Sequence, residues 1–161
     1  MRSADVSSAL GGRPGRRARR SPVAVVTLLL LFVGCATVRT NDDAGVRAAM
    51  ANFMDALNKL DAARISAAFA EDATAFFPVA QPQRAQGRAE IDAVFRRYVD
   101  GQNGKTTNIV PQDMTVQASG DLALVTFQVP GGSTARRTFV FKRVGGRWLI
   151  AHMHASNFRV Q

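Results

Sequence analysis

The chain of 161 residues is poor in the residues that most often carry chemistry: one cysteine, two histidines, one tryptophan and one tyrosine. A single thiol, Cys35, excludes an internal disulfide. The two histidines, His152 and His154, have no further histidine, cysteine or carboxylate at ligand spacing, so no metal is expected. No Gly-rich phosphate loop and no Ser/His/Asp or Cys/His nucleophile set is visible, and no cofactor is expected. The apolar run from Val23 to Val33, broken only by Thr27, has 11 residues. As a helix it would reach only about 16 Å, short of the roughly 20 residues that a bilayer core requires. There is no internal repeat and no long low-complexity stretch.

Negative charge is also scarce, and the formal net charge is +9. That excess is local. Residues 1–39 hold seven arginines against Asp5 alone, whereas residues 40–161 hold 14 Lys/Arg against 11 Asp/Glu. The nearly balanced remainder has no nucleic-acid-reading motif and few aromatics on its positive stretches, so no nucleic-acid partner is expected.

The N-terminal segment has the order of a secretory signal: Arg-rich Met1–Arg20, the apolar run, then small Gly34-Cys35-Ala36. Phe32-Val33-Gly34-Cys35 resembles a bacterial lipobox, with Phe32 in place of the usual Leu. That resemblance implies removal of residues 1–34, lipidation of Cys35 and a short tether, residues 35–43, holding the protein to a membrane of the cell envelope. Triple acylation would anchor firmly where one chain is marginal. Ordinary cleavage nearby, leaving a free thiol, is the alternative. The Arg19-Arg20 pair suggests a twin-arginine signal, but the residues after it fit poorly.

From residue 44 to 158 the pattern is one domain. Thr40 and Asp43 suit a helix start, and Val46, Met50, Phe53, Leu57 and Leu60 recur at helical spacing. Asp61 reads as a new N-cap, followed by a stripe of Ile65, Ala68 and Phe69 that Glu71-Asp72 closes. A short strand is expected over Thr74–Phe77 and a polar loop over Val79–Arg88. A third helix carries Ile91, Val94, Phe95 and Tyr98, with Gly101 after its end. Strands are then expected over Asn108–Val110, Met114–Ala118, Leu122–Val129, Arg136–Val144 and Arg147–Ser156, split by turn signals of which Gly145-Gly146 is the clearest. Helices first and antiparallel strands later make an α+β pattern. On strict alternation Trp148, Ile150, His152, His154 and Ser156 share one face of the last strand, and Leu149, Ala151, Met153 and Ala155 the other. Apolar groups on both faces predict that both are covered, one by the helices and the other by a second copy of the chain, a homodimer.

This element order resembles the NTF2-like cone: three helices on a curved, mostly antiparallel sheet. Two stretches carry the resemblance. Ala56-Leu57-Asn58-Lys59-Leu60-Asp61-Ala62 through Phe69-Ala70-Glu71-Asp72-Ala73 is similar to the opening helices of the SnoaL-like and DUF4440 groups. Arg137-Thr138-Phe139-Val140-Phe141-Lys142-Arg143 through Trp148-Leu149-Ile150-Ala151-His152-Met153-His154-Ala155-Ser156 is similar to their closing hairpin. Three helices close the wide end of a strongly bent sheet poorly, so a mostly apolar pocket among them is expected. The resemblance does not imply one chemistry, because this fold hosts isomerases, dehydratases, cyclases and binding modules.

Candidate residues follow. His152 and His154, two apart on a strand, point the same way and suit proton transfer, or simply hydrogen-bond at a cavity wall or subunit contact. Asp72 is a candidate acid at the cavity mouth, or a turn carboxylate. Tyr98, on the apolar face of the third helix, is a candidate ligand contact or a core residue with a satisfied hydroxyl. Arg137 is similar to an arginine that recurs at the start of the penultimate strand in the SnoaL-like groups, and the resemblance implies a residue that pairs with Asp72, meets an anionic ligand or is simply solvated. Of Phe76 and Phe77 one lines the cavity, and Phe76 is taken as that residue. Ketosteroid isomerase shares the general fold and needs a base aspartate, an oxyanion-holding tyrosine and a protonated aspartic acid, whereas the first helix here has Phe53 and no tyrosine and the second acid has no counterpart. Two readings result: an envelope module that binds a small apolar or amphipathic molecule or assembles as a dimer, and a cofactor-independent isomerase or lyase using His152 or His154.

Overall fold

The computed structural model describes residues 42–79, 83–131 and 134–158. The expected leader, Cys35 and most of the tether lie outside the described residues. Among the described residues no helix is long and apolar enough to cross a membrane.

Helix α1 (residues 42–58) buries Val46, Met50 and Phe53 of the expected stripe and Ala56 beside it, while Leu57 and Leu60 are half-buried. Gly45 lets this helix approach the sheet, since a Cβ there would lie 3.0 Å from Trp148 Nε1. The Arg143 guanidinium sits 4.4 Å over the Trp148 ring and pairs with Asp42 in the first turn of α1. Leu60 ends the helix in the left-handed region at φ 57°, a conformation more often taken by glycine. Asp61 then caps α2 (Ala62–Ala67) by accepting from the Arg64 N–H at 3.0 Å.

The second helix is shorter than the stripe through Phe69 predicted. Phe69–Phe76 is strand β1, so Glu71 and Asp72 lie on a strand and do not close a helix. The reason is pairing. β1 runs parallel to the last strand, with Phe69 opposite Ile150 and Phe76 opposite His154, and the Ile150 N–H donates to the Ala68 carbonyl at 2.8 Å. The expected loop over Val79–Arg88 contains a further short strand, β2 (Arg84–Gln86), antiparallel to β1. Helix α3 (Arg88–Gly101) buries Ile91, Val94 and Phe95 as expected.

Strands β3 (Gln112–Ser119), β4 (Leu122–Val129), β5 (Thr134–Val144) and β6 (Arg147–Phe158) complete a sheet of order β2-β1-β6-β5-β4-β3, antiparallel except for β1–β6. The β5–β6 turn is Gly145-Gly146, both at positive φ, 56° and 77°, as a type I′ hairpin needs. The expected strand at Asn108–Val110 does not form. Its backbone is paired instead by one side chain: Asn58, at the end of α1, accepts from the Ile109 N–H at 2.8 Å and donates to the Ile109 carbonyl at 3.1 Å.

One irregularity decides the faces of β6. Val140 pairs with His152 and Phe141 with Ile150, so Ala151 is an extra residue in the ladder. A bulge of this kind shifts side-chain alternation by one. Ile150 therefore joins Met153 and Ala155 on the buried, helix-covered face, not the histidines as strict alternation predicts. The core on that face is rich in phenylalanine. Phe53 packs edge-on against Phe69, Phe95 and Phe139, at centroid distances of 5.8, 6.2 and 5.5 Å, and Phe127 stacks on Phe139. Among the described residues the buried core lies between Val46 and Ala155, and most of it forms one contiguous cluster.

Candidate functional site

Between the helices and the concave sheet face lies a cavity of about 480 Å³, within the usual range of small-molecule pockets. Phe53, Met54 and Leu57 of α1, Val94, Phe95 and Tyr98 of α3, and Phe127, Phe139, Met153 and Ala155 of the sheet form its walls. Phe77, Pro78, Val79 and Ile109 border it from the loops. The wall is largely apolar because two periodicities converge here. Helical positions three and four apart face inward from α1 and α3, and alternate strand positions face inward from β4, β5 and β6.

Four polar side chains break this surface: Arg97, Tyr98, Arg137 and Asn157. Arg137 is the best fixed. Its Nη1 donates to the carbonyls of Arg136 and Ser156 at 2.9 and 3.0 Å. Nη1 and Nη2 both donate to Asn157 Oδ1 at 3.2 Å. Burial lowers the affinity of the half-buried guanidinium for its proton. Among the described lining residues there is no carboxylate and no imidazole.

The expected site residues thus divide. Tyr98 and Arg137 line the cavity as anticipated. Phe76 does not: it is 43% exposed on the opposite sheet face, and its neighbour Phe77 lines the cavity in its place. Alternation separates those two rings but does not say which one faces in. Asp72 is exposed on β1, and it pairs with Lys142 at 2.5 and 2.7 Å, not with Arg137. That ammonium holds the Asp72 carboxyl below the usual carboxylate range. Arg97, Asn157, Ile109 and Phe127 were not singled out. Asn157 becomes readable only once the bulge at Ala151 has reset alternation along β6.

His152 and His154 lie on the outer face, away from the cavity, so acid/base work inside it is not open to them. Phe76 packs between them, with ring centroids 5.9 Å from His152 and 5.8 Å from His154, and Thr74 Oγ1 is 2.7 Å from His152 Nδ1. Among the described residues no group of three or more His, Cys, Asp or Glu could hold a metal ion.

Burial, and secondarily the neighbouring His154, push the His152 imidazole below its ordinary value of 6.5. The unfolded chain then binds the proton more readily than the folded one. His152 contributes stability that is present above pH 6.5 and lost as the pH falls through the lower folded value. Chemical denaturation between pH 7.5 and 5 is expected to show this decline, and His152→Gln should flatten it. An unchanged slope in that variant would assign the decline to other groups.

Comparison with known proteins agrees with this architecture. A family model described as SnoaL-like domain matches residues 46–161. No curated protein sequence matches the chain significantly. Among solved structures, an NTF2-like protein of unknown function from Pseudomonas putida KT2440 is similar at 27% identity and a TM-score of 0.62, covering 73% of this chain and 87% of that one. A proposed dehydratase of the NTF2-like family from Streptomyces avermitilis is similar at 22% identity and a TM-score of 0.67, covering 76% and 99%. A proposed ketosteroid isomerase from Parabacteroides distasonis ATCC 8503 is similar at 19% identity and a TM-score of 0.54, covering 68% and 84%. With the family model spanning nearly the whole described domain, the chain belongs to the SnoaL-like family.

Proposed function

We propose that the cone is a binding chamber for a small amphipathic molecule, carried by an exported protein that Cys35 anchors to the cell envelope. The observation behind this reading is the chamber wall, an aromatic and aliphatic surface with a few fixed polar groups. Walls of that kind hold ligands by area burial and orient them by a few hydrogen bonds. The isomerase or lyase alternative has less support. It requires a proton acceptor beside the substrate, and neither histidine nor any carboxylate stands among the described residues of the chamber. The neutral, environment-sensitive dye N-phenyl-1-naphthylamine tests the reading on the domain (residues 40–161). A saturable rise in its fluorescence is expected, and a rise that never saturates would overturn the chamber.

Anchoring rests on the lipobox-like sequence. Cys35→Ser is expected to move the protein from the membrane fraction to the soluble one or to leave the leader uncleaved. Unchanged membrane partition and processing would refute lipidation at this residue.

The outer sheet face is the proposed contact between two copies. It presents Leu122, 56% exposed, and Phe76, with Leu124 and Val140 between them on the same face. Exposed apolar surface of this kind marks an association site, and a two-fold contact would cover it in both copies. Sedimentation of the domain should give twice the monomer mass, and Leu122→Lys should give one. A wild-type monomer at micromolar concentration would exclude this assembly.

A further inference from the structure

A half-buried cation needs a counter-charge, or else pays for incomplete hydration. Arg137 has none among the described residues, where no salt bridge involves it. Its partners are two backbone carbonyls and the Asn157 amide oxygen, all neutral.

The pattern of those contacts is asymmetric. A guanidinium offers five N–H donors along its edges. The end formed by Nη1 and Nη2 clasps Asn157 Oδ1, and Nη1 also reaches the two carbonyls. Along the other edge Nε has no acceptor among the described residues, and Nη2 keeps its second hydrogen. Two parallel N–H donors on one rigid edge match the two oxygens of a carboxylate. Three acceptors on the opposite end fix the orientation of that edge before anything binds, so little side-chain freedom remains to be lost.

We infer that the chamber takes an amphipathic monocarboxylate, with its apolar body against Phe53, Phe95 and Phe139 and its carboxylate on the open edge of Arg137. This assignment rests on the binding-chamber reading and names the ligand class for it. The absence of acidic side chains from the described lining favours an anion further, because nothing there repels it. The chamber then discriminates by charge. A neutral isostere leaves Arg137 without its counter-ion, and a cationic one meets a guanidinium.

Three ligands with one naphthyl body test this on the domain by calorimetry: 1-naphthaleneacetate, its neutral amide, and 2-(1-naphthyl)ethylamine. The carboxylate is expected to bind at least about tenfold more tightly than the amide, and the amine most weakly. Arg137→Gln should bring carboxylate and amide to the same affinity, while N-phenyl-1-naphthylamine still binds and so reports a folded chamber. Asn157→Asp gives a second test that leaves Arg137 in place. A carboxylate installed beside the guanidinium should compete with the ligand and weaken the acid alone. Equal affinity of acid and amide in the wild type would overturn the inference and leave the chamber standing. So would failure of the acid to bind where the dye does. Failure of all three and of the dye would overturn both.

Discussion

Phe53→Ala is expected to destabilise the domain by about 3–5 kcal/mol, the usual range for removing a buried aromatic ring. The side chain is 2% exposed and meets three other phenylalanines edge-on, from β1, α3 and β5. It is where α1 is joined to both the sheet and α3. The void would be slow to close, because those three rings are themselves held by strands and by a helix. Small domains have only about 5–15 kcal/mol in total, so the variant should melt on the order of 15 °C lower. Val110→Ala, at a side chain 56% exposed, should change stability by no more than about 0.5 kcal/mol. Thermal denaturation of the two variants beside the wild type checks the contrast. A small loss in Phe53→Ala would mean that the ring is not the hub its contacts describe.

Ala155→Phe is expected to do the opposite: leave stability alone and remove binding. Ala155 lines the chamber from β6 and is the smallest side chain among its sheet residues. A benzyl group there would extend into space the protein leaves open, so overpacking strain is limited and extra apolar surface is buried. The ligand loses that volume. Affinity for N-phenyl-1-naphthylamine should fall at least about tenfold with the melting temperature unchanged or raised. Undiminished dye binding in this variant would place the dye somewhere other than the chamber. The two substitutions separate packing from occupancy, since the first removes a ring the core uses and the second adds one where it has none.

What could be read in the chain beforehand follows from the length of each signal. Helices α1 and α3 repeat their apolar positions over several turns, and the buried sets Val46, Met50, Phe53 and Ile91, Val94, Phe95 came out as the stripes implied. The β5–β6 hairpin was legible because two glycines in succession suit only a few turns. The segment after Asp61 was not, because six to eight apolar-rich residues suit a helix or a strand equally. Partner β6, some 80 residues away, settles that choice. Tyr98 was legible from the apolar face of its helix, whereas Arg137 was reached through its match to an arginine of the SnoaL-like groups and not through periodicity. For His152 and His154 strand parity gave a shared face and left open whether that face was the concave one. Their shared face was correct, but Ala151 reverses which of the preceding residues belong with them, and no local feature of the sequence announces an extra residue in a ladder. For Phe76 and Phe77, alternation supplied a pair and left the orientation to the sheet.

The amide of Asn58 has a consequence for how fast the chamber can exchange its contents. Ile109 borders the cavity, and its N–H and carbonyl are both held by that one side chain. Swinging this segment aside breaks no ladder, only the Asn58 bonds to Ile109 and those that Thr107 makes to Asn58 and Leu57, each worth about 0.5–1.5 kcal/mol net. The loop residues Phe77, Pro78 and Val79 border the cavity as well, whereas its remaining walls move only by parting strands or lifting a helix from the phenylalanine core. The two loop borders, at Ile109 and at Phe77, Pro78 and Val79, are therefore where opening costs least, and the rest of the cone can be as rigid as its packing makes it without trapping what it holds.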